Sequence, residues 1–269
     1  VSGPQSSPAV VAPTASQNET STGTWSQSLY VGAGEKASKT ELELAPKRTV
    51  SVYASGALGS AVLADYGVRN SKEKAPVVLM PEGLKWSSSD QAVSQCLSQL
   101  KRSEGNLVFS AAVPVSGAQA TCRLEYVPNS QKPGLLSARL ELKGFQGSKG
   151  VVELRGVDRL GTVVAQDQPH LLYLLNESKN TVAGKTLFHT HDLIQGKLSW
   201  AAWGDRYFAT VLMPRGNYNP NLIYGAVDAS VAYDSTQNPP LYFGFQYPLN
   251  NSDGNFIFEL DALFSQRES

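Results

Sequence analysis

Cysteine and methionine are nearly absent from this chain of 269 residues, at two each, and histidine occurs three times. Two cysteines are too few for a disulfide framework, and Cys96 and Cys122 lack the spacing of a zinc site. An excess of charge of one sign is missing too: 23 Lys and Arg are matched by 23 Asp and Glu. That balance removes the bulk basic charge that would suggest nucleic acid or an anionic membrane surface as a partner. No stretch approaches the roughly 18 consecutive apolar residues of a spanning helix, and the first residues lack the basic-then-apolar order of a signal peptide. Walker-type loops, zinc-protease helix motifs and Gly-x-Ser-x-Gly nucleophile elbows are likewise absent. The chain as given is expected to be soluble, with no metal, no cofactor and no nucleic acid.

What is present begins with residues 1–24, a run of Ser, Pro, Ala, Thr, Gln and Gly that cannot offset its own ordering entropy and reads as a flexible linker or tether. From Trp25 onward, short alternating segments take over. Thr40–Leu44, Thr49–Tyr53, Ala61–Leu63 and Pro76–Met80 read as strands. So do the sets Cys122/Leu124/Tyr126, Leu136/Ala138/Leu140/Leu142 and Val152/Leu154. Pro169–Leu175 follows, then a polar loop at Asn176–Gly184. Leu222–Tyr224, Ala229–Tyr233 and Leu241–Tyr247 come later, and Phe256, Phe258, Leu260, Ala262 and Phe264 share one face of a final core strand. Closely spaced strands without intervening helices predict an all-β fold, a large antiparallel two-sheet β-sandwich with one or two short helices. Residues 25–269 are read as one domain.

One segment breaks the pattern. Val93, Cys96, Leu97 and Leu100 recur at helical spacing, and Ser88 with Gln91 fits a capping box, so a helix is expected at about 88–102. Cys96 would lie on its buried stripe, within reach of the strand carrying Cys122. Two unrelated buried cysteines and, in an oxidising compartment, a disulfide are both open.

The most informative stretch is Trp200–Pro214. Two extended runs meet at Gly204-Asp205, a pair suited to a tight hairpin turn. On the second run Tyr207, Ala209, Val211 and Met213 face one way and Phe208, Thr210 and Leu212 the other. Both faces are mostly apolar, which predicts a strand covered on both sides and ended by Pro214.

Candidates for chemistry are few. His189-Thr-His191-Asp192 places two imidazoles on one strand face, but no third metal ligand is evident, and solvated surface histidines are the plainer reading. Glu153, Asp158 and Asp205 are scattered carboxylates with no fixed separation for acid/base work on a sugar ring. The Asn-x-Ser/Thr triplets at Asn18, Asn176 and Asn250 are read as chance.

The order Trp203, Tyr207-Phe208-Ala209-Thr210 and Pro214 resembles the large periplasmic domain of the YidC-type membrane protein insertases of Gram-negative bacteria. Ser55-Gly-Ala-Leu-Gly-Ser-Ala-Val-Leu63 looks like that family's early Gly-containing strand pair, and the tether at 1–24 sits where the family has a linker after its first membrane helix. The family closes this domain with a strand leading into Phe-Gly-Pro-Lys, whereas here Phe264 is followed by Ser265-Gln266-Arg267-Glu268. The resemblance implies a β-supersandwich similar to sugar-mutarotase folds, on the periplasmic side of the inner membrane. It implies a scaffold and contact surface for partners such as the Sec translocon machinery in membrane protein insertion. The expectation drawn from it is non-enzymatic, with Trp203, Tyr207, Phe208, Ala209, Thr210 and Pro214 as structural core. The alternative is a secreted carbohydrate-binding or mutarotase-like β-sandwich, in which His189 or His191 would meet a carboxylate in a concave pocket.

Overall fold

The computed structural model describes residues 39–63, 77–80, 83–105, 107–158, 170–183, 192–204, 208–226 and 241–266. The tether at 1–24, the start near Trp25 and the strand expected over Ala229–Tyr233 lie outside the described residues.

The period-two segments become strands β1 (Lys39–Ala45), β2 (Arg48–Tyr53), β3 (Leu58–Leu63), β4 (Val77–Leu79) and β5 (Leu84–Ser88), followed by helix α1 (Gln91–Ser98). Next come β6 (Lys101–Arg102), β7 (Val108–Val115), β8 (Ala118–Pro128), β9 (Leu135–Lys143), β10 (Val151–Asp158), β11 (His170–Leu175) and β12 (Ser178–Ala183). The chain continues through β13 (Asp192–Ile194), β14 (Leu198–Gly204), β15 (Phe208–Arg215), β16 (Asn221–Ala226), β17 (Leu241–Pro248) and β18 (Phe256–Gln266). Sheet I has the order β1-β2-β3-β5-β10-β17-β16-β13, with β4 also on β3; sheet II runs β12-β11-β14-β15-β18-β9-β8-β7-β6. Every described pairing is antiparallel. The expected two-sheet antiparallel β-sandwich is therefore the fold.

Alternation fills the space between the sheets. Leu154, Phe243 and Phe245 of sheet I meet Trp203, Leu212, Phe258 and Leu260 of sheet II in one buried cluster. Aromatic rings bridge the layers, with Trp203 stacked on Phe243 at 5.6 Å and Tyr247 against Phe258 at 4.7 Å between centroids. Such contacts add to the area each ring removes from water. Gly244, between two of these phenylalanines, is fixed by space: a Cβ there would meet the Leu154 carbonyl oxygen at 1.8 Å.

Two expectations are corrected. The polar segment Asn176–Gly184 is a hairpin through its described part: Asn176 and Glu177 have φ of 48° and 66°, the left-handed pair that turns β11 into β12. β12 is the sheet's last described strand, and Val182 is its only large apolar side chain, so it carried no alternating signal. The helix is shorter than 88–102. Ser88 closes β5, its hydroxyl donating to the Val151 carbonyl at 2.8 Å, and Asp90 takes the cap, accepting from the Val93 N–H at 3.0 Å. Val93, Cys96 and Leu97 are buried, and α1 lies against β5, β7 and β8. Cys96 is disulfide-bonded to Cys122 of β8. No described helix is long and apolar enough to cross a membrane.

Candidate functional site

The hairpin that carries the family resemblance is β14–β15, in the interior of sheet II. Trp203 is 2% exposed and pairs in register with Thr210, itself 1% exposed; Ala209 is buried as well. Phe208 opens β15, and Tyr207 and Asp205 lie outside the described residues. Pro214 does not end the strand: it lies beyond the last described β14 pair, Ala201–Leu212, still opposite Leu260 of β18, and β15 continues to Arg215. One face of the hairpin is covered by sheet I, while the other is not covered by any described element.

The most concentrated polar chemistry lies on the outer face of sheet I. On β10, Val152 and Leu154 point into the core, so Glu153 and Arg155 point away from it, yet they are 2% and 9% exposed. Arg155 Nε donates to Glu153 Oε2 at 2.6 Å, and Gln246 Nε2 donates to Oε1 at 2.8 Å. Asn221 extends the chain to Gln246. The Arg155 guanidinium lies 4.7 Å over the Tyr242 ring, beside Gly244, which leaves the position opposite Arg155 without a side chain. Burial pushes the Tyr242 phenol well above its ordinary range. Both oxygens of Glu153 are engaged, so this carboxylate orients Arg155 and Gln246 rather than presenting a free oxygen to a substrate. The sequence held one signal for this cluster, a Glu-x-Arg pair on a strand whose other residues are Val, Leu and Gly up to its terminal Asp158.

A second polar group centres on Asp192. Asp192 of β13 is the register partner of Tyr224 on β16. Burial first, then a hydrogen bond to Asp192, raises the Tyr224 phenol. Tyr173, from β11 of sheet II, is raised by burial and then by the Asp192 charge. His189 and His191 lie outside the described residues. His170 sits on β11 opposite Gly204, and Asp158 ends β10. Among the described residues no group of three or more His, Cys, Asp or Glu side chains is placed to hold a metal ion.

No protein-family model and no curated protein sequence matches the chain. Solved structures do. The GalM/aldose epimerase homologue from C. elegans superposes with a TM-score of 0.50 at 10% identity, covering 86% of this chain and 100% of that one. A putative aldose 1-epimerase from Escherichia coli K12 gives a TM-score of 0.42 at 8% identity, over 85% of this chain and 100% of the other. The first of these corrects the expectation of a non-enzymatic domain, because its fold is that of a protein named for an epimerase and gives no ground for excluding catalysis. The chain has the β-sandwich architecture of the aldose-epimerase homologue.

Proposed function

We propose that the chain is the periplasmic domain of a YidC-type membrane protein insertase, a scaffold and contact surface for components of the membrane insertion machinery such as the Sec translocon. The observation that supports this reading is the β14–β15 hairpin. Its Trp203 and Thr210 are buried between the sheets of a mutarotase-like sandwich, and Ala209 is buried on the outer side of the same strand, as the resemblance implies for a structural motif. The test is the parent gene: it should encode a membrane helix just before residue 1 and several more after residue 269. A parent protein with no membrane helices would overturn the assignment.

A second reading is favoured by the shared fold. On it, the chain binds or interconverts an aldose, with the buried Glu153–Arg155–Gln246 network bracing the sheet beneath the sugar. Magnetisation exchange between the glucose anomers would then be accelerated by the chain, and His191→Ala would abolish the effect. Exchange at the buffer rate, with no line broadening of the sugar by the chain, sets this reading aside and leaves the insertase reading untouched.

A further inference from the structure

The outer face of sheet II divides into two chemically different halves. Leu172, Ala202, Val211 and Leu263 stand side by side in register across β11, β14, β15 and β18. Leu174, Trp200 and Met213 lie two residues along the same face. All of these except Ala202 are half-buried, and none belongs to the core between the sheets. Ala202, Gly204 and Ala209 keep the centre of this patch shallow. Every described strand belongs to one of the two sheets, and α1 packs against β5, β7 and β8, so no described element is layered on this face.

Beside the patch runs a row in which charge alternates across four strands: Arg215, Glu259, Arg139 and Glu125 are successive register partners. In the three ion pairs that flank the patch the cation is the more exposed member, whereas at the far edge of the face Glu104, 81% exposed, stands above Arg123 at 39%. Arg215 is 57% exposed over Asp261 at 17%, Arg139 44% over Glu259 at 34%, and Lys143 62% over Glu141 at 18%. In these three pairs the carboxylate lies lower and the cation stands above it. At the patch border, exposed Lys179 and Lys197 join Arg215, with Glu177 the exposed acid nearby.

We infer that this face docks an amphipathic helix of a partner protein, apolar on the side it lays against Leu172, Leu174, Trp200 and Met213 and acidic along its border. The patch is about 14 Å in each direction by strand geometry, which a helix of about ten residues spans. Cations standing above their carboxylates favour acidic flanks, and charge complementarity sets which partner is accepted. The inference names the partner class for the contact surface proposed above and rests on that reading. Its test is independent of the parent gene.

The full chain is titrated with two fluorescently labelled helical peptides of the same leucine stripe, one flanked by Glu and one by Lys, with binding read by anisotropy. The Glu-flanked peptide should bind at least tenfold more tightly. Leu174→Glu should weaken it tenfold or more, Arg215→Glu should reverse the preference, and Val78→Glu, an exposed apolar position on sheet I, should change neither. Equal affinity for the two peptides would overturn the proposal. So would unfolding of the Leu174→Glu chain, since the face would then be covered by the chain itself. Self-association lost on Leu174→Glu would identify a second copy as the occupant, and binding to phosphatidylglycerol vesicles but to neither peptide would identify a lipid surface.

Discussion

Glu153 and Arg155 show how much depends on a single pairing. Both are taken out of water on the outer face of a sheet, at a desolvation cost that their mutual hydrogen bond, the Gln246 amide and the Tyr242 ring together offset. Arg155→Met removes one partner and strands a buried carboxylate, so it should destabilise the fold by about 3 kcal/mol. Combining it with Glu153→Gln should recover much of that loss, because the remaining amide needs no counter-charge. Urea denaturation of the two single variants and the double variant measures the coupling. Additive losses would show that the pair is not energetically linked.

At the scale of elements, α1 is a short helix with one covalent attachment. Eight residues are too few to persist alone in water, so its order depends on the face carrying Val93, Cys96 and Leu97 and on the bond to Cys122. Opening that bond removes a loop constraint worth about 3 to 4 kcal/mol in the chain-entropy model. Cys96→Ala with Cys122→Ala should lower stability by that order, and amide exchange should show α1 losing protection before β8. Retained protection throughout α1 would contradict this. The elements also show what was legible in the sequence. Strands with one buried face announced themselves through alternation, as did the helix through Val93, Cys96, Leu97 and Leu100. β12 did not, because an edge strand needs little apolar surface. The cap moved from Ser88 to Asp90 because Ser88 was already used to hold β5 against β10. The Glu153–Arg155–Gln246 cluster stayed hidden because it joins β10 to β17, 93 positions apart for Glu153 and Gln246, a contact set by topology alone.

For the molecule as a whole, the inter-sheet space and the outer face of sheet I hold tyrosines whose ionisation folding opposes. Burial raises the phenols of Tyr126, Tyr224, Tyr242 and Tyr247 above the ordinary value of 10.0. Folding therefore favours their neutral forms. This contribution is whole below pH 10 and is lost as pH rises beyond it, because the unfolded chain ionises first. Stability to urea should be steady from pH 7 to 9 and fall steeply above 10, and part of the tyrosinate absorbance of the 11 tyrosines should appear only with unfolding. Uniform titration near pH 10 with no loss of stability would contradict this. The strand order has a further consequence for how the chain is made. β17 lies between β10 and β16, and β18 lies between β15 and β9, so the two described strands latest in sequence occupy the interior of the two sheets. Until residues 241–266 emerge, a growing chain holds partial sheets with bare backbone edges and an uncovered row of aromatic rings. Closing the sandwich must wait for residues 241–266, and a chain delivered end first through a narrow channel would need its early strands kept from pairing elsewhere in the meantime.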